Sequence, residues 1–377
     1  MILVFYFFSI VAVLYGFFIT LAIIGINNLN KPSKYSSHIL NGPFVSIIVS
    51  VKNEEGNAEL FVSEIDQQLF DKHLFELIVI DDFSSDDTVK LFKVALEKTS
   101  LNFKIIQQPI HKGKKQNLSE AIAISKGSII ITTDADIIYR HPKWLYSIVR
   151  FFETNHPNLL VMPIDFKNQK NILSFFQTTE NIALTGITAG FCGINKPFLC
   201  NGANLAFSKQ AYETVGGYKN HIHFSSGEDV FLLEDLKQLD QKKIQYGFQH
   251  ELIVKTKPVL ILQDFINQRL RWANKAKHQS NFLNLFFGFI VVSANLIFIA
   301  LPVAFLNQLP ITPYLSIFIV AKLIFDLLLL FLASKFLGNV KYCLFLFPFE
   351  CVYWLYALII GFGSLFFKPK WKGINIK

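Results

Sequence analysis

Between residues 44 and 133 the chain alternates short continuous apolar runs with amphipathic stretches. That alternation predicts strand, helix, strand, helix, strand. Phe44–Val51, Phe75–Ile80 and Ile129–Thr133 show little polar alternation, the pattern of strands buried on both faces. A shorter strand is expected at Phe103–Gln107. Helices are expected from Ala58 to Phe70, from Thr88 to Lys98, and from the His111–Asn117 segment through Ile124. Past Asp136 the pattern predicts a helix over His141–Glu153 and a strand over Leu159–Ile164. Residues 171–190 mix apolar and polar positions at helical spacing with little charge. Such a helix suits a membrane surface or ordinary packing.

The flanks are different. Residues 1–26 (MILVFYFFSIVAVLYGFFITLAIIGI) supply the roughly 20 apolar residues a helix needs to cross a bilayer core. They lack the basic start and small-residue cleavage site of a secretory leader, so an uncleaved anchor is expected. Lys31 and Lys34 follow, and positive charge beside a span favours the cytoplasmic side. Three more stretches of spanning length lie at about 282–306, 314–334 and 342–367. Residues 282–367 carry only Lys322, Asp326, Lys335, Lys341 and Glu350 as charged side chains. Lys322 and Asp326 are one helical turn apart and can pair, whereas Glu350 has no obvious partner. These charges serve internal packing, snorkelling or a polar lining for a lipid or polymer path.

Composition agrees with a membrane protein. The 377 residues are 52% hydrophobic and only 17% charged, with 40 Phe, which is too apolar for a purely soluble chain. The net charge of +8 suits an anionic membrane face or polyanionic substrates. No stretch interleaves basic and aromatic residues on a nucleic-acid module, so no nucleic-acid partner is expected. The four cysteines form no Cys-x-x-Cys pair, which indicates neither a zinc site nor a redox motif; they read as small buried apolar residues.

Candidate chemistry sits at the strand ends. The strand at Ile129–Thr133 runs into Asp134-Ala135-Asp136, and Phe75–Ile80 runs into Asp81-Asp82. Open α/β sheets put ligands at such ends. Two carboxylates one residue apart can hold a hard divalent ion together with phosphate oxygens, or can be a solvated acidic loop.

Seven segments in order carry a resemblance: VSIIVSVKNEE, ELIVIDDFSSDDT, KGKKQNLSEAI, IITTDADI, NGANLAF, GEDV and QRLRW. Over roughly residues 44–275 the chain resembles the membrane-bound family 2 glycosyltransferases. That group includes cellulose, chitin and hyaluronan synthases and ceramide glucosyltransferase. The resemblance implies an α/β fold, the GT-A nucleotide-binding sandwich, with transmembrane helices: an anchor at 1–26, a cytoplasmic domain at 44–275, and about three helices over 282–367. It places Ser50, Lys52 and Glu54 in the first nucleotide loop. Asp81 or Asp82 is expected to meet the base or ribose, and a carboxylate suits the imide N–H of uracil. Lys114 is expected to reach the base or diphosphate, with Lys112 and Lys115 solvated. Asp134 and Asp136 match the metal motif, for Mg²⁺ or Mn²⁺. Asp229 matches the general base, supported by Glu228; its plainer reading is a helix N-terminal acid. Asn201, Gly202 and Asn204 are expected to face acceptor and donor sugar. In the Gln-x-x-Arg-Trp run, Gln268 and Trp272 belong with the acceptor and Arg271 with the diphosphate; an amphipathic interfacial helix explains the same residues. Two departures are Phe83, where Gly or Asn is common, and Ser50-Val51, where Pro or Ala is common.

The function expected is a membrane-integral, inverting transfer of sugar from a UDP-sugar to a lipid or growing glycan. The rivals are a processive polysaccharide synthase, a GDP-sugar enzyme, and a non-catalytic nucleotide-sugar-binding scaffold. A transporter would need more spans. A multi-pass place in the cell membrane follows, with the catalytic domain cytoplasmic because nucleotide sugars are. One anchor before the domain and three spans after it put both termini outside, yet the four lysines of the KPKWKGINIK tail favour inside, so one span can be re-entrant. Nothing in the sequence specifies partner subunits.

Overall fold

The structure, a computed structural model, describes residues 2–29, 42–167, 170–222, 224, 227–277, 282–366, 370–371 and 374–375. In chain order the elements are α1 (Ile2–Leu29), β1 (Val45–Val51), α2 (Ala58–Asp66), β2 (Phe75–Asp81), α3 (Thr88–Glu97), β3 (Phe103–Gln107), α4 (Lys114–Ile124) and β4 (Ile129–Thr133). There follow β5 (Ile138–Tyr139), α5 (Trp144–Asn155), β6 (Leu159–Val161), β7 (Ile164–Phe166), α6 (Ile172–Gly193), β8 (Asn204–Ser208), α7 (Lys209–Thr214), α8 (Glu228–Asp240), β9 (Ile244–Tyr246) and β10 (Val254–Thr256). The last helices are α9 (Leu262–Lys277), α10 (Phe282–Asn295), α11 (Ile297–Leu306), α12 (Thr312–Leu337) and α13 (Leu346–Phe366). They form two compact units: an α/β unit, and a helical unit built from α1, α6 and α9 to α13.

The α/β unit rests on one sheet of seven strands, in the order β3-β2-β1-β4-β8-β6-β9. The first four are parallel because helices carry the chain back between them. Val45, Ile47, Val49 and Val51 of β1 join Leu77, Val79, Ile129, Ile131, Phe61 and Ile65 in one apolar core. The register sets Val51 beside Asp81 and Val49 beside Thr133, so the loops after β1, β2 and β4 leave the sheet at the same edge. A second sheet orders β5-β10-β7.

At the opposite end of these strands Glu76 fastens three segments. Its Oε1 accepts Ser46 Oγ–H (2.8 Å) and the Lys126 N–H (2.6 Å), while Ser46 Oγ accepts the Gly127 N–H (2.8 Å). Burial alone would raise the Glu76 carboxyl. The bonds from Lys126 and Ser46 and the Lys104 ammonium outweigh it and hold the group below its ordinary value.

Three sequence expectations are revised. The helix from Ala58 stops at Asp66, not Phe70, because Gln68 turns away and its Oε1 accepts the Leu145 N–H at the start of α5. The strand at Leu159–Ile164 is two: β6 joins the large sheet and β7 the small one, with Pro163 between them unable to donate to a ladder. The domain boundaries also move. Residues 170–194 and the described residues of the stretch 258–375 belong to the helical unit, so 44–275 is divided between the two units.

Among the described residues of the helical unit, four helical segments are long and apolar enough to cross a membrane: Ile2–Leu29, Leu285–Leu306, Thr312–Leu337 and Val340–Ser364. Glu350 does have a partner. Lys322 Nζ donates to Asp326 Oδ2 (2.8 Å) and to Glu350 Oε2 (2.5 Å), and Tyr15 Oη–H donates to Asp326 Oδ1. Helix α6 packs into this unit rather than standing alone. A methyl on Gly25 would fall 1.7 Å from the Gly190 carbonyl oxygen, and one on Gly190 would fall 2.4 Å from that of Ala22. Small residues let apolar helices approach this closely. All four thiols are free; Cys192 is buried as expected, but Cys351 is exposed. Lys31, Lys34 and the tail lysines Lys368, Lys372 and Lys377 lie outside the described residues.

Two predictions follow from packing and charge. Gly190→Val should lower the melting temperature of the detergent-solubilised protein by many degrees, whereas Gly288→Ala, with nothing within 4 Å of the added carbon, should leave it nearly unchanged. Glu76 has a depressed folded pKa, so its contribution is present above the ordinary value of 4.5 and is lost as pH falls through the folded value. Glu76→Gln should therefore cost about 1–2 kcal/mol at neutral pH, and the gap should close in melts run progressively below pH 4.5.

Candidate active site

The shared edge of β1, β2 and β4 gathers the α/β unit's candidate residues. Ser50 is half-buried near the end of β1. Lys52 Nζ lies 3.1 Å from His111 Nδ1. The Glu54 N–H donates to Thr88 Oγ1 (2.7 Å), and its Oε2 accepts Asn57 Nδ2–H (2.7 Å).

Asp81 and Asp82 are both buried. Asp81 accepts the Ser84 N–H (3.1 Å) and the Ser84 hydroxyl. Asp82 Oδ1 accepts the N–H groups of Lys112 (2.8 Å) and Gly113 (3.1 Å), and its Oδ2 lies 2.6 Å from His111 Nδ1. Both carboxylates therefore brace the loops around the site. Phe83, the departure noted in the sequence, has φ +59°, the left-handed backbone that favours Gly or Asn. Its side chain is exposed.

Lys114, at the start of α4, occupies the centre of this group. Its ammonium lies 2.5 Å from Asp134 Oδ1 and 3.2 Å from Glu228 Oε1. Burial pulls this ammonium down, but Asp134, Glu228 and Asp229 overcome it and hold it above the ordinary lysine range. Lys114 thus bridges the end of β4 and the start of α8. Lys115 is not solvated as expected. It is buried, donates to the backbone carbonyls of His221 (2.8 Å) and Phe224 (3.0 Å), and lies over the Phe231 ring. Lys112 is half-buried and pairs with Glu120.

Glu228 and Asp229 form the first turn of α8, where the helix dipole favours acids. Gly227 before them has φ +88°, a turn that only glycine adopts freely. Asp229 Oδ2 accepts the Gly202 N–H (3.1 Å), and the Gly202 carbonyl accepts Thr132 Oγ1–H (3.3 Å), which ties the 201–203 loop to both α8 and β4. Asn201 is exposed, its Oδ1 accepting the Ala203 N–H. Asn204 does not face an acceptor. It is wholly buried; its amide donates to the carbonyls of Pro163 (2.9 Å) and Leu252 (3.0 Å) and accepts from Trp144 Nε1–H (3.2 Å). The Asn204 amide is a core brace.

Asp134 and Asp136 are both half-buried, and Asp136 Oδ2 accepts Thr256 Oγ1–H (2.6 Å). Burial, then the neighbouring Asp134 charge, push the Asp136 carboxyl up. A divalent cation beside the pair would relieve that repulsion. Among the described residues no group of three or more metal-binding side chains gathers. Two carboxylates leave most positions to water and phosphate oxygens, which fits a hard ion brought with a diphosphate and not a closed structural site.

Gln268, Arg271 and Trp272 lie half-buried on α9, in the helical unit. His111 and Thr256 had no place in the sequence reading: His111 stood inside a lysine-rich segment, and Thr256 is an isolated hydroxyl 120 positions from Asp136.

A mixed sheet with acids at the ends of its parallel strands is typical of the GT-A fold, and the chain adds helices of spanning length to it. Residues 46–216, a little under half of the chain, match the family model "Glycosyl transferase family 2". Glycosyltransferase AglE of Haloferax volcanii is 25% identical over 193 residues, 50% of this chain and 59% of that protein. Glucosyl-3-phosphoglycerate synthase of Mycobacterium tuberculosis is 30% identical over 102 residues, 27% of this chain and 31% of that protein. The chain therefore spans between about a third and three-fifths of these relatives. The fold is also that of a mannosyltransferase from Pyrobaculum calidifontis solved with GDP-Man and Mn²⁺. The TM-score is 0.57 at 14% identity, covering 95% of this chain and 99% of that one.

Lys114→Met should destabilise the protein by about 1–3 kcal/mol, because Asp134, Glu228 and Asp229 would then repel without a counter-charge. Adding Asp134→Asn should recover part of that loss in the same melting measurement; strictly additive effects would show that the ion pair carries no coupling.

Proposed function

We propose that the chain is a metal-dependent, inverting glycosyltransferase. In this reading it moves a sugar from a nucleoside diphosphate donor, a UDP-sugar, to a lipid at the membrane. The observation that carries this reading is the Lys114 bridge, which holds the Asp-x-Asp end of β4 against the acid pair of α8. Asp134 and Asp136 would hold Mg²⁺ or Mn²⁺. That ion, when bound, supplies positive charge against the diphosphate leaving group.

The chain's own residues do the rest. Asp229 takes the proton from the acceptor hydroxyl as its oxygen bonds to the anomeric carbon and the bond to the diphosphate oxygen breaks. The Gly202 N–H aims the Asp229 carboxylate. Glu228 and the Lys114 ammonium beside it keep the acid pair in place. Attack opposite the leaving group inverts the configuration. Ser50, Lys52 and Glu54 line the nucleotide loop, with Asp81 and Asp82 shaping it through Ser84 and His111. Arg271 serves the diphosphate, and Asn201, Gln268 and Trp272 serve the acceptor.

The relatives leave the donor base open: one fold neighbour was solved with GDP-Man, and a carboxylate can also meet the N1–H and 2-amino group of guanine. Four candidate spans suit single transfer to a lipid. The Gln268–Trp272 run favours a second reading, processive synthesis of a polysaccharide. A multi-pass membrane position with the catalytic face in the cytoplasm belongs to the same proposal.

The test is product analysis. Membranes holding the protein are incubated with labelled UDP- and GDP-sugars and Mn²⁺ or Mg²⁺. One discrete organic-soluble product from a UDP-sugar is expected; a high-mass ladder would favour the synthase, and incorporation from GDP-sugars alone would replace the donor. Asp229→Asn should lower turnover by about 100-fold or more while nucleotide binding persists. Unchanged turnover would remove Asp229 as the base.

A further inference from the structure

The Gln-x-x-Arg-Trp run names Arg271 as its arginine, yet Arg269 is the buried one. The Arg269 side chain is 4% exposed, against 7% for Glu180, which faces it from α6. Arg269 Nε (2.9 Å) and Nη2 (2.5 Å) both donate to Glu180 Oε2, and Nη1 donates to Gln268 Oε1. Glu180 Oε1 accepts Tyr356 Oη–H (2.5 Å) from α13. Phe265 and Trp272 stand one helical turn before and after Arg269, so their rings meet its guanidinium: it lies 4.5 Å from the Phe265 centroid and 4.2 Å from that of Trp272. The planar cation is fixed at its edges by Glu180 and Gln268 and has an aromatic ring against it on either side along the helix.

We propose that Arg269 and Glu180 are positioning residues for Trp272 and Gln268. The guanidinium takes one face of the indole and sets its plane. The opposite face is then presented to a single ring of the acceptor, whose chemical class is a glycan or glycosylated lipid. Tyr356 extends the same hold to a helix of spanning length. This rests on the glycosyltransferase reading, because it assigns Trp272 to the acceptor. A lysine at 269 would not substitute, since it lacks the flat surface that lies against the indole and the fork that reaches Glu180 and Gln268 together.

The experiment uses the full chain in detergent. Acrylamide quenching of the Trp272 component is read as the difference between each background and its Trp272→Phe counterpart, which removes the other three tryptophans. Arg269→Lys, Arg269→Met and Glu180→Gln should each raise quenching of that component at least twofold. Label incorporation should fall at least tenfold, with UDP binding within twofold of the parent. The charge swap Glu180→Arg with Arg269→Glu separates positioning from stability. It keeps an ion pair, so melting should stay close to that of the parent, but it removes the cation from beside the indole, so quenching and incorporation should stay impaired. Incorporation restored by the swap would make the pair structural only. Unchanged quenching in Arg269→Met and Arg269→Lys would overturn the inference even if no variant folds less well. A parent that incorporates no label from any donor would overturn the glycosyltransferase reading instead, and the quenching result would still decide whether Arg269 holds Trp272.

Discussion

Lys114 carries the charge on which the α/β site depends. Asp134, Asp136, Glu228 and Asp229 come from two elements far apart in the chain, and all are acids. Carboxylates held a few ångströms apart at partly screened depth repel by several kcal/mol. Without a cation between them, the start of α8 would be pushed from the end of β4. The Lys114 ammonium bonds to Asp134 and Glu228 at once and offsets this. Its place is set by α4, whose start is held by Asp82 through the backbone of Lys112 and Gly113. The buried Asp82 thus acts on these four acids through the helix it anchors.

The same constraint operates in the helical unit, where unpaired polar groups cost most. Lys322 is shared by Asp326 and Glu350, with Tyr15 closing the set. Arg269 is paired to Glu180 and Glu180 to Tyr356. These buried charges come from four of the unit's helices, with Tyr15 of α1 as a neutral donor from a fifth, and each has a partner on another helix. Apolar packing adds little register of its own between helices this uniformly apolar. The polar pairs and the Gly25–Gly190 contact supply it.

Much of this was legible in the chain. The strands β1, β2 and β4 lie within a residue or two of the expected runs, because burial on both faces demands continuous apolar sequence, and the half-buried edge strand β3 also falls where expected. The four candidate spans were legible for the same reason. The places of Asp134 and Asp136 just past β4, and of Glu228 and Asp229 at the start of α8, were legible because acids of this spacing are tied to strand and helix ends. Asn204 was misread: an amide in a polar motif looks like a ligand contact, and only the positions of Trp144, Pro163 and Leu252 show that it is used up in the core. Lys115 was misread because its partners, the carbonyls of His221 and Phe224, are over a hundred residues away.

The sequence by itself determined the local elements, their apolar faces, the membrane-length helices and the acids at the strand ends, since all of these depend on periodicity or near neighbours. Only the tertiary structure decided which charges meet. Which carboxylates Lys114 pairs with, whether Glu350 has a partner, and which arginine of the Gln268–Trp272 run is buried depend on residues brought together across long chain separations. Side-chain pairing follows distance in space, and periodicity along the chain carries no record of it.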